Sequence, residues 1–532
     1  MTSRDGAGAL HYRDRPALFS SLEQRQYDLI VIGAGITGAG IARSAAQRGL
    51  AVALVEARDV AAGTSSRSSK MIHGGLRYLA QGDVGLVREA ASERQILRRI
   101  APHLARRSPF LLPVRSLAGL TKFRAAMWAF EKLGQVPEDE RHEVWTARET
   151  ASREPVAAPD GVTGAVLYYE FLTDDARLTL ANVRSARAAG ADVVTYAPVV
   201  GIRVEDGRAT GVRCQGALPG ENLGAEIRGR VVVNAAGPWV DALRALEADG
   251  EPPRLSLTKG IHLVVPHERL PISRTVLMNA ADRRPVFAVP RGEVTYIGTT
   301  DTFFPRTDYW PEIGPEDVDY LFEAVDRSFR IDPLKRPDVV ASWTGVRPLI
   351  DQQGKTPSEI SRRDEVWTGP AGVLSIAGGK LTAYRTMAVR VVDRVVERLG
   401  GSRGPEVSDQ QPLVGGDVDP EALALRLAAK FGEPAARRLV SLYGSEALQV
   451  ASDGADLAAE VRQAVRREGA LRLEDYWVRR GARAWFERDG GLSTLEPASI
   501  EMAQELGWDE ATRQDQVEAC RSLHEKSNAL FH

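Results

Sequence analysis

The sequence predicts an α/β protein in three parts: a parallel-sheet domain assembled from separated segments, an antiparallel-sheet domain inserted into it, and an all-helical C-terminal domain. Three observations carry that prediction. From Tyr27 the chain reads YDLIVIGAGITGAGIARSAAQRGLAVALVE, which is an apolar strand, a glycine turn, an alanine-rich helix and a second apolar strand. From RLSLTKGIHLVVP through RPVFAVPRGEVTYIGTTD to ASWTGVRPLI it forms short sheet-type runs, with RGE as a hairpin turn. In the last quarter, PEALALRLAAKFGEPAARRLVSLYG, ADLAAEVRQAVRREG, LEDYWVRRGARAWFERDG and PASIEMAQELG all space their apolar residues at the helical period.

Composition narrows the function classes. The chain has 532 residues, 43% hydrophobic and 26% charged, a balance that supports two or three globular domains. A formal charge of −2 argues against a chain built as a whole for nucleic acid. Cys214 and Cys520 stand far apart, so neither a disulfide framework nor a cysteine metal site is expected, and a reducing, cytoplasmic compartment follows. The opening MTSRDGAGALHYRDRPALFSSLEQRQ lacks an apolar core of signal-peptide length and carries Asp5, Asp14 and Glu23, so it reads as a loose arm with a short helix. No run approaches the ~18 apolar residues of a transmembrane helix, which leaves peripheral association as the only membrane role expected.

The elements follow in order. Gly33, Gly35 and Gly38 give the GxGxxG spacing: the first for the tight turn, the second for close approach of a pyrophosphate, the third for helix–strand packing. Glu56 stands 18 residues past Gly38 (56 − 38), where a carboxylate accepts from ribose hydroxyls. An acid there favours FAD or NAD over NADP. A simple NAD domain would continue the strand–helix alternation, yet after Glu56 come the hydroxyl-rich stretch GTSSRSSKMIHGGLRYL and a helical region, Val84 to Ile100. A β-meander, ADVVTYAPVVGIRVEDGRATGVRCQG, precedes a further apolar strand, Arg230 to Asn234, which ends at Gly237, and GVLSIAGGKLTAYR supplies a third strand followed by a long helix. Three such strands predict one Rossmann-like domain built from discontinuous pieces. The helix near Lys380 aims its positive end, and the lysine, at whatever sits above Gly378 and Gly379.

The ordered set TSSRSSKMIHGGLRYL, FLTDDARL, NAAGPW, TKGIHLVVP, IGTTD, TGVRPL and AGGKLTAYR resembles the FAD-dependent glycerol-3-phosphate dehydrogenases, within the flavoprotein group that also holds amino-acid oxidases. The resemblance runs from Tyr27 through the helical tail. It implies that FAD is surrounded by Gly33, Gly35, Gly38, Glu56, Thr64, Ser65, Ser66, Ser69, Gly74, Gly75, Gly237, Gly378, Gly379, Lys380, Leu381 and Thr382. It implies a substrate pocket of Arg77, Tyr78, His262, Arg347, Arg362 and Lys380, with His262, Arg347 and Lys380 carrying the chemistry and no metal. Convergent cations suit a phosphate dianion, and a neutral imidazole can accept a hydroxyl proton. His73 is a second candidate base. The implied reaction moves a hydride from carbon two of sn-glycerol 3-phosphate to the flavin, and electrons then pass to a membrane quinone.

The stretch HLARRSPFLLPVRSLAGLTKFRAAMWAFEKLG interleaves Arg106, Arg107, Arg115, Lys122, Arg124 and Lys132 with Phe110, Leu111, Leu112, Phe123, Met127, Trp128 and Phe130. That mixture suits the interface of an anionic bilayer, and predicts peripheral docking on the inner face of the cell membrane. The divisions expected are an arm over 1–26, nucleotide-domain pieces over 27–100, 181–245 and 366–402, a helical and basic segment with substrate-domain elements over 101–180, the substrate sheet over 246–365 and the helical domain over 403–532. That last domain is a candidate homodimer surface, although Gly481 stands where the family pattern leads one to expect threonine. Competing readings are a glycerol-3-phosphate oxidase that releases hydrogen peroxide, an amino-acid oxidase, which the extra cations disfavour, and a scaffold with a structural flavin.

Overall fold

The computed structural model describes the chain except for residues 1–7, 13, 74–83, 135, 249, 353, 358, 361–362, 402 and 532. The first sheet begins as the alternation demands. Its parallel strands run in the order Leu374–Ala377, Gly224–Asn234, Gln26–Ile32, Val52–Val55 and Asp192–Val194, with Glu365–Thr368 antiparallel at one edge. The central strands are apolar at nearly every position because helices or a hairpin cover both faces. Helices Ile36–Gln47, Asp175–Ala188 and Tyr384–Leu399 cover one face, through Ala39, Ala42, Val183, Ala186, Val391 and Val392. The opposite face packs Ile30, Ala53 and Val194 on Phe19 and Leu22 of helix Arg15–Gln24 and on the hairpin Val199–Glu205/Arg208–Gln215. Strand Gly224–Asn234 joins the two layers: its first half pairs with the hairpin and its second with Gln26–Ile32.

The second sheet takes in more of the chain than the block read from alternation. Beside Leu255–Pro266, Thr275–Asn279, Pro285–Arg291, Val294–Gly298, Thr302–Phe303 and Ala341–Ile350 it contains Met71–Ile72, Arg106–Val114, Glu143–Thr146 and Gly164–Leu172. This corrects the reading of the basic, aromatic stretch. Phe110, Leu111 and Leu112 are buried in strand Arg106–Val114, and only the following helix, Leu117–Gly134, turns large apolar groups outward, with Leu117 73% and Trp128 61% exposed. Leu117, Arg124, Trp128 and Lys132 fall on one side of that helix, about 100° per residue apart. Leu117, Arg124 and Trp128 are exposed there, and Lys132 is the basic residue of the last turn.

Helix Pro315–Ser328 covers one face of this sheet and the C-terminal helices cover the other. The C-terminal domain is all helical from Pro420–Phe431 to Glu510–Asn528. It locks onto the first domain through charge. Asp59, fully buried, accepts from Arg479 Nε at 2.6 Å and from Arg480 Nη1 and Nη2 at 2.6 and 2.8 Å. Burial alone would raise the Asp59 carboxyl, but Arg480 and Arg479 hold it below the usual range. Both arginines come from a π-helical turn, Asp475–Arg480, whose Asp475 also accepts from Tyr196 Oη at 2.6 Å. Gly481 follows that turn, and a Cβ there would stand 3.3 Å from Arg483 Cγ and 3.4 Å from the Tyr476 ring. Among the described residues no helix is long and apolar enough to cross a membrane.

Candidate active site

A cavity of about 330 Å³ runs over the carboxyl ends of the parallel strands, where open α/β sheets bind ligands. The glycine turn forms one end. Gly33 holds φ +102°, and a Cβ on Gly38 would fall on the Gly33 carbonyl oxygen, so the turn and the helix after it can approach each other only without side chains. Gly35 opens toward the cavity, where a Cβ would meet only Ser65 Oγ, at 3.3 Å. Glu56 closes the strand Val52–Val55, lines the cavity, and accepts from Ala34 N at 2.6 Å and Arg58 N at 2.9 Å. Burial raises its carboxyl above the ordinary value, against those backbone bonds.

The hydroxyl-rich stretch forms the next wall. Thr64 and Ser65 line the cavity, yet each also builds the loop: Thr64 Oγ1 donates to Val346 O at 2.6 Å, and Ser65 Oγ accepts from Ile36 N at 2.9 Å at the start of the first helix. Ser66 is buried and donates to Gly63 O at 3.3 Å. Asp175 ties the rest together. Its Oδ2 accepts from Ser68 N and Oγ at 2.9 and 2.7 Å, and its Oδ1 from Lys70 Nζ at 2.6 Å, in a pair that is almost wholly buried. Thr382 Oγ1 accepts from His73 N at 3.1 Å and donates to His73 O at 2.8 Å, which fastens the stretch to the third nucleotide-domain piece.

Gly378 and Gly379 line the cavity at φ +78° and +80°, together with Lys380 and Leu381. A 3₁₀ turn, Leu381–Ala383, then leads into helix Tyr384–Leu399, so the helix's positive end faces the cavity. Gly237, at φ +56°, and Trp239 come from the second piece, and Pro348 comes from strand Ala341–Ile350 of the other sheet.

Two of the residues singled out from sequence, Arg347 and His262, stand in the second sheet and are not among the residues that line the cavity. Arg347 bonds Asp301 Oδ1 and Thr299 Oγ1, each at 3.0 Å, and lies across Gly260, where a Cβ would strike its guanidinium. His262 is 1% exposed, stacks on Trp343 at 4.6 Å and 12°, and pairs through Nε2 with Ser69 Oγ at 2.9 Å. Its ring occupies the space that a Gly298 side chain would take. Burial, then Arg347 and Lys70, hold His262 well below the usual histidine value, so it is neutral at physiological pH. Its Nδ1 has no hydrogen-bond partner among the described residues.

Of the expected cofactor residues, Gly33, Gly35, Glu56, Thr64, Ser65, Gly237, Gly378, Gly379, Lys380 and Leu381 line one cavity. Gly38, Ser66, Ser69 and Thr382 support it from behind, while Gly74, Gly75, Arg77, Tyr78 and Arg362 lie outside the described residues. Asp175, Trp239, Tyr309 and Met387 also line it and were given no role from sequence. FLTDDARL and NAAGPW held a signal for the first two; nothing local marks Tyr309 or Met387.

The comparisons with known proteins agree with this geometry. A family model described as FAD dependent oxidoreductase matches residues 28–385, and one described as the C-terminal domain of alpha-glycerophosphate oxidase matches 406–513. An aerobic glycerol-3-phosphate dehydrogenase of Bacillus subtilis (strain 168) is 36% identical, over 96% of this chain and 97% of its own. The chain belongs to the aerobic glycerol-3-phosphate dehydrogenase family of FAD-dependent oxidoreductases. A relative of the same name from Staphylococcus aureus (strain USA300) is also 36% identical, over 96% of both chains. The X-ray structure of the glycerol-3-phosphate dehydrogenase from Bacillus halodurans complexed with FAD superposes with a TM-score of 0.82 at 32% identity, covering 97% of this chain and 98% of that one. The cofactor is FAD, and the residues present fit it: a glycine cradle that side chains would fill, an acid at the ribose position and a second helix end facing the same cavity.

Proposed function

We propose that the protein oxidises sn-glycerol 3-phosphate at carbon two to dihydroxyacetone phosphate and passes the electrons to a membrane quinone. The observation that carries the reading is a single cavity lined by both a dinucleotide cradle and Lys380, in a chain similar over nearly its whole length to aerobic glycerol-3-phosphate dehydrogenases. FAD, when bound, supplies a two-electron acceptor for the hydride that leaves carbon two. The chain's own task is to hold a dianion, orient the carbon–hydrogen bond and take the hydroxyl proton.

Arg347 suits the first task, because Asp301 and Thr299 fix its guanidinium before any ligand arrives. Arg77, Arg362 and Lys380, from the same family motifs, complete the proposed anion site with Tyr78. His262 is the proposed proton acceptor: Ser69 fixes one ring nitrogen, Trp343 fixes the ring plane, and the other nitrogen is unpaired among the described residues. The helix end at Leu381–Tyr384 and Lys380 favour negative charge developing nearby.

Peripheral docking on an anionic membrane is proposed through the outer side of helix Leu117–Gly134, where Leu117 and Trp128 stand out beside Arg124 and Lys132. On this reading the protein works at the cytoplasmic face of the membrane, beside the quinone pool.

The test is anaerobic mixing of the flavin-loaded protein with sn-glycerol 3-phosphate, followed by oxygen or a soluble quinone in separate cuvettes. Bleaching by glycerol 3-phosphate but not by glycerol or amino acids, with fast recovery only on quinone, is the expected result. Fast recovery on oxygen would make the protein an oxidase, and no bleaching would refute the substrate.

A further inference from the structure

We propose that Tyr309 and Trp310 form an aromatic latch that retains FAD, with Tyr309 a cofactor-binding residue supplied by the substrate domain; the inference rests on the assignment of the cavity to FAD. The loop 304–314 connects strand Thr302–Phe303 to helix Pro315–Ser328 in the second sheet's layer, yet it crosses to the first domain, where Tyr309 lines the cavity. The Tyr309 ring stacks on Trp239 at 4.2 Å and 25°. The Arg58 guanidinium lies over the same Tyr309 ring at 4.4 Å, and Arg67 lies over Trp310 at 4.0 Å.

Both arginines belong to the segment that forms the cavity wall after Glu56. Arg58 donates its backbone N–H to Glu56, the acid at the ribose position, and Gly63 lies so close to Trp239 that a Cβ would stand 3.0 Å from its ring. The loop therefore closes on the stretch from Arg58 to Arg67 at two points, one cation and one ring at each. Arg67 is 4% exposed and its Nε and Nη2 have no hydrogen-bond partner among the described residues, so its guanidinium meets the Trp310 face in a dry setting, where cation–π attraction is strongest. The C-terminal domain backs the arrangement: Trp310 packs on Trp485 at 5.8 Å, and Glu474 sits 3.7 Å from Arg58.

Four segments distant in sequence thus meet at the nucleoside end of the cavity, and only one of them directly follows the glycine-turn unit that defines the cofactor domain. Since Tyr309 and Trp239 both line the cavity, FAD cannot leave past that wall without the loop lifting from Trp239 and from both arginines. Cofactor retention is in this way a property of the substrate domain as well as of the nucleotide domain.

The test titrates FAD into the full-length apoprotein, follows the quenching of flavin fluorescence, and measures release after dilution. Tyr309→Ala is expected to raise the Kd about tenfold, roughly 1.4 kcal/mol, with faster release. Tyr309→Phe, which keeps the ring, should stay within about twofold, and Arg58→Gln should show about a threefold loss. The thermal midpoint of the FAD-loaded Tyr309→Ala protein should fall further than that of its apoprotein, which loses only the contacts to Trp239 and Arg58. A Tyr309→Ala protein that binds and releases FAD like the parent, or whose apo and loaded midpoints fall equally, overturns the latch. If that variant does not fold, Arg58→Gln decides: unchanged affinity and release overturn the proposal. A parent protein that binds no FAD would instead overturn the cofactor assignment beneath it.

Discussion

Single residues in this protein are held in states that water would not allow. His103 and His262 are both buried and neutral; burial, then Arg177 and Arg106, depress His103 to about 3. The unfolded chain takes up a proton near 6.5 at each position and the folded chain does not, so both contributions are complete above that pH; the one at His103 is lost as pH falls from 6.5 toward 3, and the one at His262 declines as pH falls below 6.5. Each histidine makes the stability curve steeper on the acid side by up to about 1.4 kcal/mol per pH unit. His103→Gln should flatten the fall of the thermal midpoint between about pH 6 and pH 4.5, which a set of buffered melts would reveal. At His262 the expectation concerns rate: His262→Gln should lower kcat by about 10²-fold or more with a smaller change in KM, and unaltered turnover would remove it as the proton acceptor. Asp175 carries a different load. Asp175→Asn leaves Lys70 buried beside a neutral amide, a loss of about 3 kcal/mol measurable by urea unfolding, since the Ser66 carbonyl and the more distant Asp174 carboxylate do not replace the direct ion pair to Lys70 Nζ. Asp175 stood in a motif quoted from sequence, but its partner Lys70 lies 105 residues away, and no local pattern announces such a pairing.

Elements were legible where a backbone requirement writes itself into residue type. The strand–glycine turn–helix unit is of that kind, because Gly38 meets the Gly33 carbonyl and no side chain can stand there. Gly38→Ala should abolish FAD binding, seen as colourless purified protein, while the far-UV circular dichroism stays close to that of the parent. The helical C-terminal elements were legible from their period. Strand Arg106–Val114 was not. Its apolar run is continuous because one face packs on helix Leu117–Gly134 and the other on the core under helix Pro315–Ser328, and a run without alternation beside a basic helix looks the same as an interfacial segment. The loop 304–314 escaped for the opposite reason, since the contacts that matter lie on other domains and its own composition signals only a turn.

At the scale of the whole molecule the domains are held by buried charge rather than by apolar area alone. Asp59→Ala would leave Arg480 without its salt-bridge partner in a dry junction, while Arg479 keeps Glu474 and Asp475, and a loss of about 3 kcal/mol is expected, with the C-terminal domain loosening first in hydrogen exchange. The outer side of helix Leu117–Gly134 makes a separate prediction: Trp128→Ser together with Leu117→Ser should reduce sedimentation with anionic vesicles at low salt by several-fold and leave flavin bleaching by glycerol 3-phosphate in solution unchanged. The strand order of the first sheet has a further consequence, for the time course of synthesis. Gln26–Ile32 is at the centre of the sheet and among the first strands to leave the ribosome, whereas Leu374–Ala377, two places along the same sheet, follows about 340 residues later. At roughly 5–20 residues per second, that is about 17–70 s during which the glycine turn exists without the wall that Gly378 and Gly379 supply. Capture of the flavin therefore belongs to the end of translation, and a chain stalled before Leu374 would present an open apolar sheet edge to the cell's chaperones in place of a cofactor site.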